Sequence, residues 1–275
     1  MLKARVITAI FLLVGLVSAL FLLPSWGWLA FVSLICGAAA HEWGGIVGYQ
    51  GKQRWVYALL LGLLCLFGGL AAGLHLDSTV APFNLVPAYG LSALFWIFCV
   101  PFWLRARWAL PGAGAAALVG FVLLIPPSLA MIHLRLLSPW LLLGVMAAVW
   151  IADIAAYFTG RAFGRRKLAP AISPGKSWEG AYGAAVGVVI YGLICLSAFL
   201  PHGLGAGQMA LAALGLLVFT AISIIGDLFE SMLKRQAGVK DSGTLLPGHG
   251  GILDRIDSLT STLPLAGLLA LWFAR

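Results

Sequence analysis

The chain has 275 residues, of which 62% are hydrophobic and only 9% charged, and its formal net charge is +8. A soluble domain carries about 25% charged residues, so a water-soluble fold is excluded and the bilayer is the solvent. The excess of base is no sign of nucleic-acid binding, because Lys and Arg are scattered between apolar runs instead of lining one soluble surface.

Only helices and closed barrels satisfy their backbone polar groups inside a bilayer. The apolar runs here are continuous, not alternating, and about 20 residues long, which predicts helices. The expected fold is an all-α polytopic membrane protein with about nine spans and a cytoplasmic N-terminus. The expected spans are near 6–23, 28–47, 55–74, 86–104, 114–134, 139–159, 180–200, 207–226 and 257–274. The first follows Met-Leu-Lys-Ala-Arg and lacks a small-x-small cleavage site before Pro24, so it reads as a retained helix, not a signal peptide. Cys36, Cys65, Cys99 and Cys195 each sit alone in an apolar run, which supports neither a disulfide framework nor a zinc site.

Lys and Arg orient the spans. With the N-terminus inside, Lys3, Arg5, Lys52, Arg54, Arg105 and Arg107 fall on the cytoplasmic side. So do Arg161, Arg165, Arg166, Lys167, Lys176, Lys234, Arg235, Lys240 and Arg255, leaving only Arg135 and Arg275 opposite. The acids are uneven too: only Glu42 and Asp77 precede residue 150, and the other seven lie between 153 and 257. Residues 1–135 therefore read as scaffold helices and 136–275 as the part carrying the chemistry, within one membrane domain.

Asp153, in the sixth span, costs about 2.5–3.5 kcal/mol at the helix centre on insertion scales. It is expected to face a polar interior, with Tyr157 one turn later; a helix-packing acid is the plainer reading. In the following loop, Arg165, Arg166 and Lys167 read as headgroup anchors. Ser173, Lys176 and Ser177, around Pro174 and Gly175, form a tight polar turn before a new helix, where backbone N–H groups and a Lys suit a phosphate. Ser177 as a simple N-cap, with Glu179 in the first turn, is an equal alternative.

At the end of the eighth span, Asp227, Glu230, Ser231 and Lys234 fall at i, i+3, i+4 and i+7, one helix face. The alternative is a solvated face with local ion pairs, which the apolar Ser-Ile-Ile-Gly before Asp227 disfavours. Then comes PGHGGILDRIDS, where Gly248, Gly250 and Gly251 permit a sharp turn and close backbone approach. Asp254 and Asp257 open the last span, where acids are also favoured by the helix dipole alone. Together Asp227, Asp254 and Asp257 offer the hard oxygen ligands that magnesium requires. His249 reads either as part of this site or as an ordinary loop histidine.

The segment Ser231, Lys234-Arg235, Lys240-Asp241, His249-Gly250-Gly251, Asp254-Arg255-Ile256-Asp257 resembles the C-terminal motif of the phosphatidate cytidylyltransferase (CDP-diacylglycerol synthase) family, with no departure over some 27 residues. The likeness extends to Gly226-Asp227, the turn at 172–180 and Asp153, with Glu42-Trp43 a weaker echo. It implies that CTP and phosphatidate give CDP-diacylglycerol and pyrophosphate, by direct in-line attack of the lipid phosphate on the α-phosphorus. It implies a catalytic set of Asp227, Lys240, Asp241, Asp254, Arg255 and Asp257. Ser173, Lys176, Ser231, Lys234, Arg235, His249, Gly250 and Gly251 are then expected to hold the substrates. Asp153, Asp227, Asp254 and Asp257 are expected to hold Mg²⁺, with room for a second cation such as K⁺. The implied setting is a bacterial cell (inner) membrane, multi-pass, with the site facing the cytoplasm, no nucleic-acid partner, and a homodimer as an option. Two other readings stay open on the residues: an ion- or proton-coupled transporter using its intramembrane acids, and another lipid-phosphate transferase.

Overall fold

The computed structural model describes residues 2–76, 82–110, 112–199, 205–246, 248 and 250–273. Among these, helix α1 spans Leu2–Leu22, α2 Ser25–Ile46 and α3 Gly51–Ala71. Pro24 separates the first two as the N-cap of α2, a position where its missing N–H removes nothing from the ladder. Glycines with positive φ, Gly48 and Gly51, turn the chain from α2 into α3.

The fourth span is broken into α4 (Val86–Leu94), a π-helical segment (Phe95–Cys99) and α5 (Val100–Ala106). Pro101 explains the break: it lacks an N–H, and its ring crowds the carbonyl four residues back, which a wider turn relieves. Helices α6 (Ala113–Leu137) and α7 (Pro139–Phe163) follow. A short antiparallel hairpin comes next, β1 (Lys167–Ala169) paired with β2 (Ser173–Ser177). Then come α8 (Trp178–Phe199), α9 (Ala206–Gln236) and α10 (Leu253–Phe273).

Eight of the described helical stretches are long and apolar enough to cross a membrane, and the apolar run Ile7–Leu22 of α1 adds a shorter one. This bears out the polytopic all-α expectation and agrees with nine spans. The hairpin is a departure from hydropathy alone, since it lies in the polar loop that hydropathy passes over.

Helices α2, α6 and α10 form the buried centre, and α3, α7, α8 and α9 turn mostly exposed apolar faces outward, as suits lipid contact. Helix α10 packs against α6, α9 and α4, and α7 against α8. Phe229 of α9 is fully buried and meets Phe95, Trp96 and Trp103 edge-on at centroid distances of 5.8, 5.7 and 5.5 Å. That aromatic socket fixes the rotation of α9 and so aims its polar face.

The polar loops gather at one end. Gln236 donates to the carbonyls of Arg107 and Trp108, Lys176 pairs with Asp227, and Ser242 donates to Glu42. These contacts join α2 and α9 to the segments that follow α5, α7 and α9. Arg135 instead donates to the carbonyls of Leu20 and Leu23, beside the turn between α1 and α2.

Candidate active site

Strand β2 presents alternate residues to opposite sides. Ser177 turns inward and accepts a hydrogen bond from the Gly180 N–H at 3.2 Å, capping α8. Lys176, on the other side, pairs directly with Asp227 of α9. Glu179 accepts from the backbone N–H groups of Arg165 and Arg166 at 3.1 and 3.2 Å, tying the loop to the start of α8. The turn thus serves as a cap through Ser177 and delivers an ammonium through Lys176.

Asp227 also accepts from the Ser231 hydroxyl one turn later, at 3.2 Å. Its side chain and that of Lys176 keep 25% and 27% exposure, so both remain reachable. Asp153 of α7 is exposed and lies within electrostatic reach of Asp227, Lys176 and Arg255. Asp257 of α10 feels the charges of Asp227 and Asp153, and one of its oxygens accepts from the Ser258 N–H at 2.7 Å. Asp257 thus feels carboxylates from two other membrane helices, while Lys176 pairs with Asp227 and lies within electrostatic reach of Asp153. Like charges so disposed are relieved by a cation or by a proton.

A second cluster lies deeper. Lys234, only 7% exposed, pairs with Asp254 and with Glu230, the latter at 3.0 Å. Asp254 directs its other oxygen to three donors: the Ser242 N–H (2.9 Å), the Ser242 hydroxyl (3.0 Å) and the Gly251 N–H (2.8 Å). Glu42 of α2 completes the group. It is 1% exposed and accepts from the Ser242 hydroxyl (2.9 Å) and from the N–H groups of Ile252 (3.0 Å) and Leu253 (2.9 Å). The last two are free N–H groups at the start of α10, so a carboxylate from a distant helix caps it.

The sequence-selected residues thus divide. Lys176, Asp227, Ser231 and Asp153 share the open cluster; Lys234 and Asp254 belong to the buried one; and Asp257, half-buried, feels charges from both. Arg235, Lys240, Asp241 and Arg255 are exposed at the same end, and Arg235 donates to the Val239 carbonyl at 3.3 Å. Ser173 is half-buried on β2. His249 lies outside the described residues. Glu42 and Ser242 carry more of the site than their sequence context indicates. The available signal for Glu42 was the one used for Asp153, an acid inside an apolar helix.

The glycines of the motif have a steric reason. A Cβ on Gly251 would collide with the Glu42 carboxylate and the Ser242 hydroxyl, and one on Gly250, whose φ is +80°, would stand 2.6 Å from an Asp254 oxygen. Gly251→Ala is therefore expected to cost about 1–3 kcal/mol of stability, the scale of an overpacked interior, seen as a lower melting temperature in detergent.

Asp153, Asp227 and Asp257 are hard oxygen donors of the kind magnesium takes, but among the described residues no group of three or more His, Cys, Asp or Glu side chains is placed to hold a metal ion by itself. Magnesium commonly takes one or two carboxylates and completes its shell with water and substrate phosphates, so a closed cage is not required.

The profile of the cytidylyltransferase family matches residues 3–273. The chain is 40% identical to the phosphatidate cytidylyltransferase of Pseudomonas aeruginosa, over 100% of this chain and 98% of that one. It is 38% identical to the phosphatidate cytidylyltransferase of Haemophilus influenzae, over 96% of each chain. Against the Brucella suis phosphatidate cytidylyltransferase the identity is 51% over 130 residues, 47% of this chain and 46% of that one. With the match running through scaffold and polar clusters alike, the chain belongs to the cytidylyltransferase family.

Proposed function

We propose that this protein transfers a cytidylyl group from CTP to phosphatidate, giving CDP-diacylglycerol and pyrophosphate, at the cytoplasmic face of a bacterial inner membrane. The observation that carries this reading is the Lys176–Asp227 pair with Asp153 and Asp257 within electrostatic reach of Asp227, at the polar end of helices that otherwise face lipid. A lipid substrate needs a site beside the bilayer, and CTP needs one open to the cytoplasm. The Lys and Arg distribution supports that orientation.

The lipid phosphate attacks the α-phosphorus while pyrophosphate leaves, so no protein nucleophile enters the reaction. The work left to the protein is positioning and charge balance. Lys176 holds a substrate phosphate by giving up part of its contact with Asp227. Arg255, Lys240 and Arg235, exposed at the same end, meet the remaining phosphate charge. Asp153, Asp227 and Asp257 would hold magnesium, which when bound offsets the negative charge of the triphosphate. Asp254 supports this set by fixing the loop before α10. A coupled transporter also explains intramembrane acids, but not the basic and Gly-rich segments gathered at one end.

The test is label transfer in mixed micelles of phosphatidate with Mg²⁺. Label from [α-³²P]CTP is expected in lipid and label from [γ-³²P]CTP in pyrophosphate, with both products lost in EDTA. Entry of the γ-label into lipid, or no transfer by folded protein, would reject the reading. In the same assay Arg165→Ala is expected to change the rate by no more than about twofold, the ~0.5 kcal/mol scale of a surface substitution, because its side chain lies on the exposed loop.

A further inference from the structure

We infer that Glu42, in the N-terminal scaffold, is a positioning residue for the transfer reaction: it sets where the first turn of α10, and with it Asp257, stands relative to Asp227 and Asp153. This rests on the reading given under Proposed function and adds to it a residue outside the C-terminal motif.

Three observations carry the inference. Glu42 makes only acceptor contacts, to the Ser242 hydroxyl and to the Ile252 and Leu253 N–H groups, so one carboxylate fixes both the loop and the start of α10. The end of α2 that bears it is itself anchored. Arg54 of α3 donates to the His41 carbonyl, and Trp43 donates its indole N–H to the Ala116 carbonyl of α6 at 3.0 Å. A side chain flanked by two such contacts has little freedom to follow the loop, so the loop must follow it.

Ser242 links this anchor to the second cluster. Its hydroxyl stands 2.9 Å from Glu42 and 3.0 Å from Asp254, both acceptors. A hydroxyl has one proton, so it serves one carboxylate at a time and the two acids share it. Its N–H goes to Asp254, and Asp254 reaches α9 through Lys234. The chain from α2 to α10 to α9 is thus continuous, and Asp257 lies one turn along α10 from Asp254. Displacing reacting groups by about 1 Å can cost on the order of 10²-fold in rate, so a shift of this turn bears on turnover more than on CTP affinity.

The test compares wild type, Glu42→Gln and Ser242→Ala by steady-state label transfer at varied CTP and varied Mg²⁺, with melting measured in the same detergent. Gln keeps the size of Glu but must turn either its oxygen or its NH₂ toward donors, so at least one of the three contacts is lost. The expected result for Glu42→Gln is a fall in kcat of about 10- to 10²-fold, KM for CTP within about threefold, and a higher Mg²⁺ requirement for half-maximal rate. Ser242→Ala, which removes only the hydroxyl bridge, is expected to lower kcat severalfold with KM unchanged. If Glu42→Gln does not yield folded protein, the Ser242→Ala result decides. Wild-type kcat in a folded Glu42→Gln protein, or in Ser242→Ala where that decides, would overturn the inference. So would loss of activity only in proportion to loss of folded protein. Failure of wild type itself to transfer label would instead reject the functional reading.

Discussion

Asp227→Asn is expected to lower the rate of CDP-diacylglycerol formation by about 10²–10³-fold, the scale seen when one preorganised electrostatic group is removed from a reaction centre. The change is nearly isosteric and keeps a partner for the Ser231 hydroxyl, which stands 3.2 Å away. It removes the charge that holds Lys176 and that faces Asp153 and Asp257. The Lys176–Asp227 pair is part-exposed, and such pairs contribute about 0–1 kcal/mol to stability. A large loss of rate with little change in melting is the pattern to look for, read by label transfer and thermal unfolding in one detergent. Loss of both together would make Asp227 a folding residue and move the reaction centre elsewhere.

Lys234→Met is expected to do the opposite, with stability lost first. Lys234 is the direct counter-charge of Glu230 and Asp254, both with side chains 5–6% exposed. Removing it leaves two buried carboxylates facing each other, and breaking a buried pair by deleting one partner costs about 3–5 kcal/mol. A marginally stable domain has about 5–15 kcal/mol in all, so the melting temperature in detergent should fall sharply. Adding Glu230→Gln to Lys234→Met should recover part of the loss, because one uncompensated charge is gone. A Lys234→Met protein as stable as wild type, yet unable to transfer label, would place Lys234 among the substrate-binding groups instead.

The transmembrane architecture is legible because bilayer length and backbone satisfaction leave few options for a long apolar run. The residue face shared by Asp227, Glu230, Ser231 and Lys234 is also legible, since it follows from helical period alone. What period cannot supply is the element packed against that face. Lys234 points at Asp254 only because α10 lies beside α9 there, so its burial is a tertiary fact. Glu42 is separated from Ser242 by 200 positions, and nothing local in α2 announces that the loop before α10 will fold onto it. The β1–β2 hairpin escaped a hydropathy reading for a related reason, because its strands are only three and five residues long and sit in a basic loop. Ser177, whose cap and ligand readings were equal by spacing, is resolved by the Gly180 N–H that it accepts.

The claim on which the rest depends is a single direct displacement at the α-phosphorus, run by positioned carboxylates and bases with no protein nucleophile. Its most direct test is the stereochemical course of transfer from one diastereomer of CTP bearing sulfur at the α-phosphorus. Inversion of configuration in the CDP-diacylglycerol product is the predicted result. Retention would require two displacements through a cytidylylated side chain, and would contradict the account.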